Sequence, residues 1–216
     1  MFQSSQKLYI FRAKYAILAS IMITIVQKDA PVLRAQAEPV NPKDFGSPQL
    51  KKILADMQEA LEKEEDGVAI AAPQIGVPLR IFIVSHRAFE FADEEAMRGD
   101  EGVPAENISD DKKVRHADMV FINPVITKLS RKKKWVPEGC LSVRWLYGEV
   151  SRADKATVRA YDENGKPFIR GGSGLLAQIF QHETDHLNGV LFIDTARDVE
   201  RITAEEQKNR REEATK

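Results

Sequence analysis

The hexapeptide Gln181-His182-Glu183-Thr184-Asp185-His186 lies near the carboxyl end of this 216-residue chain, and the fold can be worked out from it. Leu175, Ile179 and the two histidines follow the i, i+4, i+7, i+11 spacing, so they share one face of a predicted helix. Two imidazoles one turn apart on that face can bind a single metal ion. Glu183 points about a third of a turn away, where it can reach a metal-bound water as general base without binding the metal.

Both ends of this helix can be read from the sequence. Ser173 is a predicted N-cap, and Gly189 is a predicted stop at the carboxyl end. The alternative is an ordinary helix whose histidines are hydrogen-bonded or exposed to water. The intact His-Glu-x-x-His spacing, with apolar residues before it on the same face, favours the metal-binding interpretation.

The composition is that of an ordinary globular protein, with 43% hydrophobic and 30% charged residues. The length fits one domain with a proper core. A formal net charge of −1 provides no basic field, so we expect no DNA partner. Cys140 is the one cysteine, which excludes an internal disulfide and suits a reducing compartment. A lone cysteine is usually a small buried hydrophobic residue, but it can also be a metal ligand.

Residues 1–21 form a predicted extension ahead of the folded domain. Three basic residues precede an apolar run, Tyr15–Val26, with no acidic residue before Asp29. This pattern fits a short signal peptide or a weak transit peptide, and it also fits a mistaken start with the fold beginning near Met22, which we favour. The run is too short for a comfortable membrane span, so we expect no stable membrane insertion.

The stretch Gly67–Gly76 is small and apolar, which lets another backbone approach it closely. Gln74 is its one polar side chain. A buried amide needs partners, so Gln74 makes either a structural hydrogen bond to backbone or donates to a substrate carbonyl. The spacing of a phosphate-binding loop is absent.

The remaining patterns predict an α+β fold, with antiparallel β-sheets packed around a central metal-binding helix and with N-terminal and C-terminal helices. The first helix begins at Pro48. Residues 85–118 are polar and acidic and are predicted to form an insertion or surface loop, and residues 198–216 a polar C-terminal helix or tail. The predicted strands are Arg80–Val84, Met119–Ile122, Val125–Leu129, Ala156–Tyr161, Pro167–Arg170 and Val190–Ile193, with a turn at Asn123-Pro124 and a two-residue hairpin turn at Asn164-Gly165.

Three motifs in this order resemble those of the peptide deformylase family. They are Gly67–Gln74 (Gly-x-x-x-Ala-Ala-Pro-Gln), Glu138–Ser142 (Glu-Gly-Cys-Leu-Ser) and Gln181–His186. A zinc protease would share only the last of them. The resemblance extends through residues 22–197, which are therefore the expected catalytic domain.

The resemblance implies a metal site made by Cys140, His182 and His186. Three protein ligands and one open position suit catalysis rather than a structural site. The family typically uses Fe(II), and a mixed thiolate–imidazole set also accepts Zn, Ni or Co. Glu138 is expected to pair with Arg152 and to support the cysteine loop.

The implied reaction removes the N-formyl group from the N-terminal formyl-methionine of newly synthesised proteins. A metal-bound hydroxide would attack the formyl carbon, with Glu183 as general acid and base. The Gln74 amide and the Leu141 backbone N–H would meet the developing oxyanion. The peptide would lie extended along Val68, Ala69, Ile70 and Gly139, and Ile179, together with Val68, would line the methionine pocket.

The sequence departs from the family pattern at two places near the expected groove. Ala69 stands where a second glycine is usual, and Arg144-Trp145 replaces a Pro-Gly type dipeptide. The added methyl group is expected to narrow the peptide groove, and the dipeptide to change its rim. Neither departure touches an expected metal ligand, the base or the oxyanion donor.

Two other functions were weighed against deformylation. A zincin metalloprotease would need a third ligand downstream of His186, where Asp194 and Glu200 are weak candidates. An inactive deformylase-like binding module would be expected to lack Glu183 or Cys140, and the chain has both.

The expected partners are formyl-methionyl nascent peptides. The basic residues of the C-terminal tail suggest contact with the ribosome, although a solvated helix packed on the domain explains them equally well. The expected compartment is the cytoplasm of a bacterial-type cell, with organellar targeting by residues 1–21 as the alternative.

Overall fold

The computed structural model describes residues 23–90, 117–203 and 206. The segments 1–22 and 91–116 and most of the tail beyond residue 203 lie outside this description, and with them the predicted extension and most of the predicted insertion. The main elements are helices α1 (Pro48–Glu62) and α2 (Gly174–Leu187) and strands β1 (Ala69–Ala71), β2 (Ile81–Val84), β3 (Met119–Leu129), β4 (Lys133–Gly139), β5 (Leu146–Ala153), β6 (Lys155–Tyr161), β7 (Pro167–Ser173) and β8 (Arg197–Arg201).

The strands form two antiparallel sheets. One has the order β1-β2-β3-β6-β7 and the other the order β4-β5-β8. Helix α2 contacts strands of both sheets, namely β1, β2, β3, β6 and β7 of the first and β5 of the second. The α+β class predicted from the sequence is confirmed.

Helix α1 begins as its sequence predicts. The Ser47 hydroxyl accepts a hydrogen bond from the backbone N–H of Leu50 at 3.1 Å, and Pro48 occupies the first turn, where no intrahelical donor is needed. Its apolar stripe is buried at Leu50, Leu54, Met57, Ala60 and Leu61. The stripe therefore packs into the core, as its helical spacing indicates.

Helix α2 also begins and ends where the sequence predicts. Ser173 precedes it, although the Ser173 side chain makes no capping hydrogen bond. At the other end Gly189 has a φ of +76°, a left-handed conformation that glycine adopts without strain. A Cβ atom at Gly189 would lie 2.7 Å from the carbonyl oxygen of Arg34. The helix therefore stops at a position that also requires close approach of a neighbouring backbone.

One buried amide joins α2 to the second sheet. The Gln181 Oε1 atom accepts from the Ala153 backbone N–H at 2.9 Å, and Nε2 donates to the Ala153 carbonyl at 3.0 Å. This pair satisfies the end of β5 much as another strand would. These two hydrogen bonds fix the position of α2 relative to strand β5.

Phenylalanine rings fill the space between α2 and the five-stranded sheet. Phe82 and Phe121 stack with ring centroids 4.5 Å apart, and Phe180 of α2 lies 5.4 Å from Phe121. All three side chains are fully buried. The aromatic contacts hold the metal-motif helix against the sheet.

The structure corrects the predicted break in β3. Asn123-Pro124 does not separate two strands but forms an irregularity inside one strand, with a register shift between Ile122 and Val125. The Asn123 amide accepts from the Val40 N–H at 2.8 Å and donates to the Val40 carbonyl at 2.9 Å. These bonds replace the strand pairing that the bulge interrupts.

Three other expectations are corrected. The residues Val190–Ile193 are not a strand, because a 3-10 helix starts at Phe192. Residues 198–201 of the predicted polar helix belong to strand β8, which pairs with β5. The connection at Asn164-Gly165 is longer than the predicted two-residue turn, because the β6–β7 pairing ends at Tyr161 and Pro167. Within it the Asp162 carboxylate accepts from the backbone N–H groups of Asn164 and Lys166.

Within the described part of the chain, no helix is both long and apolar enough to cross a membrane.

We predict that Phe121→Ala lowers the free energy of unfolding by about 3–5 kcal/mol, because it opens a cavity among fully buried rings. Urea denaturation measures this loss. The matched change Ile169→Ala, at a side chain that is 70% exposed, should cost about 0.5 kcal/mol or less. Equal losses for the two variants would contradict the placement of the core.

Candidate metal centre

Three donor side chains meet between the end of β4 and helix α2. Cys140 follows β4, and His182 and His186 lie one turn apart on α2. Their donor atoms all lie within 4.8 Å of one another, and Cys140 Sγ is 3.2 Å from His186 Nε2. A metal ion with bonds of about 2.0–2.3 Å contacts nitrogen and sulfur atoms at such separations. The structure thus brings together the three residues predicted as ligands.

The chemistry of these donors fits a divalent transition metal. Thiolate and imidazole donors suit Zn and Fe(II), whereas Mg and Ca prefer oxygen. His182 Nδ1 lies 3.0 Å from the Glu138 carboxylate, which leaves its Nε2 atom for the metal. With three protein donors, a fourth position is left for water or substrate.

A buried ion pair supports this centre. Arg152 donates to Glu138 from Nε at 2.6 Å and from Nη2 at 2.9 Å, and its Nη1 atom donates to Asp185 at 2.6 Å. Glu138 thus bridges Arg152 on β5 and His182 on α2. The predicted pairing of Glu138 with Arg152 is present in the structure.

The charge states follow from this network. Burial alone would raise the pKa of Glu138, but hydrogen bonds from Arg152 and His182 outweigh it and lower the pKa to about 2. Burial alone would lower the pKa of His182, but its hydrogen bonds with Cys140 and Glu138 outweigh burial and raise that pKa. For His186 burial dominates and lowers the pKa. A bound metal ion would take the place of the His182 proton.

Glu183 is placed differently from Glu138. Its side chain is 3% exposed, and among the described residues its Oε2 atom has no hydrogen-bond partner. Without a metal charge beside it, burial raises the pKa of this carboxyl to about 7. A carboxyl with such a pKa can both accept and donate a proton at neutral pH.

Gln74 is tied to the cysteine loop. Its Oε1 atom accepts from the Ala71 N–H at 2.8 Å, and its Nε2 atom donates to the Ser142 hydroxyl at 3.2 Å. Nε2 also lies 3.7 Å from Cys140 Sγ, and the Ser142 N–H lies 3.4 Å from the same sulfur. The structural hydrogen bond to backbone is therefore present for Gln74, and its amide donor faces the cysteine loop, while donation to a substrate carbonyl stays a prediction.

A pocket of about 280 Å³ opens beside the donors. Val68, Ala69, Gly139 and Ile179 line it, as predicted. Ile70 does not line it, because alternate residues of a strand face opposite sides and the Ile70 side chain is buried in the core.

Several lining residues were not predicted as site residues. Tyr147 lies opposite Gly139 in the β4–β5 ladder, and a Cβ atom at Gly139 would be 2.6 Å from the Tyr147 ring. The sequence pattern did not predict strands β4 and β5, because charged and aromatic residues interrupt the alternation of polar and apolar side chains. The other unpredicted lining residues are Asp66, Gly67, Pro137, Leu146, Leu175 and Gln178. Arg144 and Trp145, which were expected at the rim of the groove, also line the pocket.

The ligand set of a zincin protease is not assembled here. Asp194, a candidate third ligand in that interpretation, bonds to Arg34 at 2.6 Å and to the Leu191 N–H at 2.9 Å. Among the described residues, the group of three or more possible metal donors is Cys140, His182 and His186.

Fold and site together define an α+β protein with a candidate metal centre built from one thiolate and two imidazoles beside a buried carboxyl. The sequence model of polypeptide deformylase matches residues 22–202. The chain belongs to the polypeptide deformylase family, whose members are metalloenzymes that remove N-formyl groups from nascent peptides.

Relatives from plants and bacteria agree with this assignment. Peptide deformylase 1A of Arabidopsis thaliana, a chloroplastic and mitochondrial protein, is 40% identical over 79% of this chain and 60% of its own length. Peptide deformylase 1 of Bacillus subtilis is 39% identical over 78% of this chain and 86% of its own.

A solved structure supports the fold. The actinonin-bound class I type b peptide deformylase of Acinetobacter baumannii superposes with a TM-score of 0.65 at 28% identity, over 82% of this chain and all of that one.

We predict that Glu138→Gln weakens binding of Zn(II) or Co(II) about 10- to 100-fold, because the change removes the charged acceptor that orients His182. Competition with a chromophoric chelator measures the affinity. The control Glu149→Gln removes a charge from an exposed pair with Arg197 and should leave the affinity unchanged. Equal affinities for the Glu138 variant and the unmodified protein would contradict this role.

Proposed function

We propose that this protein hydrolyses the formyl amide at the N-terminal formyl-methionine of newly synthesised proteins, using a divalent metal. The observation that carries the proposal is the placement of three metal donors, a buried carboxyl and an amide donor around one pocket. Family membership supports the same reaction.

Cys140, His182 and His186 would hold the metal, in agreement with the donor set. When bound, the ion acts as a Lewis acid that acidifies water and polarises the formyl carbonyl. Fe(II) is the ion we propose, on the resemblance to the family, and the same donors accept Zn, Ni or Co.

Glu183 is proposed to move the proton. It takes a proton from the attacking water and delivers it to the nitrogen of the leaving methionine. Its burial suits the first step, because a desolvated carboxylate binds a proton more readily than an exposed one. The unpartnered Oε2 atom is the acceptor available for the water proton.

Gln74 and Leu141 are proposed to stabilise the oxyanion that develops on the formyl oxygen. Donors that are already oriented lower the barrier more than donors that must reorganise. The Gln74 amide is oriented by Ala71 and Ser142. The Cys140 carbonyl, which shares a peptide plane with the Leu141 N–H, accepts from the Val143 N–H at 3.0 Å, and this bond orients that plane.

The peptide is proposed to bind as an added strand. Strand β1 is an edge of the five-stranded sheet and β4 is an edge of the three-stranded sheet, and residues of both line the pocket. Edge strands have backbone donors and acceptors available for an extended peptide. Val68 to Ile70 and Gly139 would supply this backbone, and Ile179 the apolar wall for the methionine side chain.

The natural substrate, the cellular location and the ribosome contact of this protein stay predictions. We propose formyl-methionyl nascent chains as substrates and a cytoplasmic, bacterial-type location, while the relatives include bacterial and organellar proteins. Ribosome contact through the tail is a further proposal, and most of that tail lies outside the described residues.

We predict rapid formate release from formyl-Met-Ala-Ser by protein loaded anaerobically with Fe(II) or Ni(II), and no release after chelation. Glu183→Ala should lower kcat by at least about 100-fold, because the proton acceptor is lost. Metal content, measured by atomic absorption, should stay at one ion per chain. Unchanged turnover by the variant would rule out the proposed mechanism.

We predict that Gln74→Leu lowers kcat about 10²- to 10³-fold with a small effect on KM, because the lost donor acts chiefly in the transition state. Steady-state kinetics on the same tripeptide measure both constants. Gln58→Leu, at an exposed position of α1, is the matched control and should leave both unchanged. A rise in KM alone would assign Gln74 to peptide binding instead.

A further inference from the structure

An arginine spans two loops at the pocket. Arg144 donates to Asp66 from Nη1 at 2.8 Å and from Nη2 at 3.2 Å, and Nη2 also bonds to the Glu64 carboxylate. The Arg144 side chain is 21% exposed and the Asp66 side chain 19%. We call this group of Arg144, Asp66 and Glu64 the strap.

The strap connects the two walls of the pocket. Asp66 lies directly before the Gly67–Ala69 wall, and Arg144 lies in the loop that joins Cys140 and Leu141 to β5. Both residues line the pocket. Since one wall belongs to the edge strand β1 and the other follows the edge strand β4, no strand pairing joins the two walls directly.

Other contacts hold each loop on its own side. Arg87 donates to the carbonyls of Glu64 at 2.9 Å and Glu65 at 3.2 Å. On the other side, the Ile202 N–H donates to the Trp145 carbonyl at 2.9 Å. Arg144 crosses from one side to the other at the rim, in addition to the hydrogen bond from Gln74 to Ser142 deeper in the site.

Trp145 adds a local constraint to the rim. Its φ of +65° lies in the left-handed region, where a bulky residue is strained. The Arg144 guanidinium lies 5.4 Å from the centre of the Trp145 ring. An ordered Arg144 side chain therefore also restricts the position of the Trp145 ring, which lines the pocket.

We propose that Arg144 is a positioning residue that sets the width of the groove for the peptide residues that follow the formyl-methionine. This inference rests on the proposed deformylase function. A bidentate arginine–carboxylate pair has a defined geometry, and the low exposure of this pair limits its screening by solvent. With the strap formed, the groove is ordered before the peptide binds, so less entropy is lost on binding.

The test is a comparison of substrate lengths. Arg144→Ala should raise KM for formyl-Met-Ala-Ser about fivefold and leave kcat unchanged. KM for formyl-methionine itself should stay the same, because this substrate has no residues that extend along the groove. Arg144→Lys should give an intermediate KM, since an ammonium cannot form the bidentate pair.

Exchanging the charges of Arg144 and Asp66 distinguishes a positioning role of this ion pair from the effect of merely removing the Arg144 side chain. Arg144→Asp and Asp66→Arg should each raise KM for the tripeptide, and the double variant should restore it at least in part. The matched control is Arg197→Ala, which removes an arginine that also pairs with a carboxylate, Glu149, and covers a tryptophan, Trp135. It should leave KM unchanged.

The outcomes are distinct from those that test the deformylase function. Absence of formate release by the unmodified, metal-loaded protein would refute that function. Normal release with the same tripeptide KM for Arg144→Ala would refute the strap proposal alone. An equal fall in kcat for both substrates would also refute it, because it would place Arg144 in support of the catalytic groups instead.

Discussion

The buried ion pair of Glu138 and Arg152 is the interaction on which the rest of the site depends. Glu138 lies near the end of β4 and bonds to His182 of α2, and Arg152 lies on β5 and bonds to Asp185 of α2. A buried pair of this kind is costly to break, because removal of one partner leaves the other charge without compensation. The network therefore orients the imidazole of His182, a candidate metal ligand, and holds the strand that leads into the cysteine loop.

The second constraint is that two sheet edges meet at the pocket. The two sheets each present an edge strand there, and α2 carries the histidines between them. Backbone groups of an extended peptide can pair with such edges. In the proposed reaction, the helix would supply two metal ligands and the proton acceptor. In that proposal, peptide binding and chemistry use different elements, and contacts such as the strap hold the two walls of the pocket relative to each other.

Two glutamates show how environment sets function within one site. Glu138 and Glu183 are both buried, but Glu138 has an arginine and a histidine as partners and Glu183 Oε2 has none among the described residues. The first keeps its charge and the second has a pKa of about 7. Burial and hydrogen bonding, rather than residue type, thus separate the two carboxyls, in agreement with the support role proposed for Glu138 and the proton transfer proposed for Glu183.

The sequence alone determined the class of fold, the capped helix α1, the metal-motif helix and the three candidate ligands. The helices and the two histidines follow from short-range periodicity and spacing, which are local properties, whereas Cys140 was predicted as a ligand from the resemblance to a known family. The tertiary structure decided the β4–β5–β8 sheet, the bulge at Asn123 and the strand at residues 197–201, because each depends on pairing with distant segments. It also decided that Arg144 meets Asp66, since no local pattern relates residues 78 positions apart in the chain.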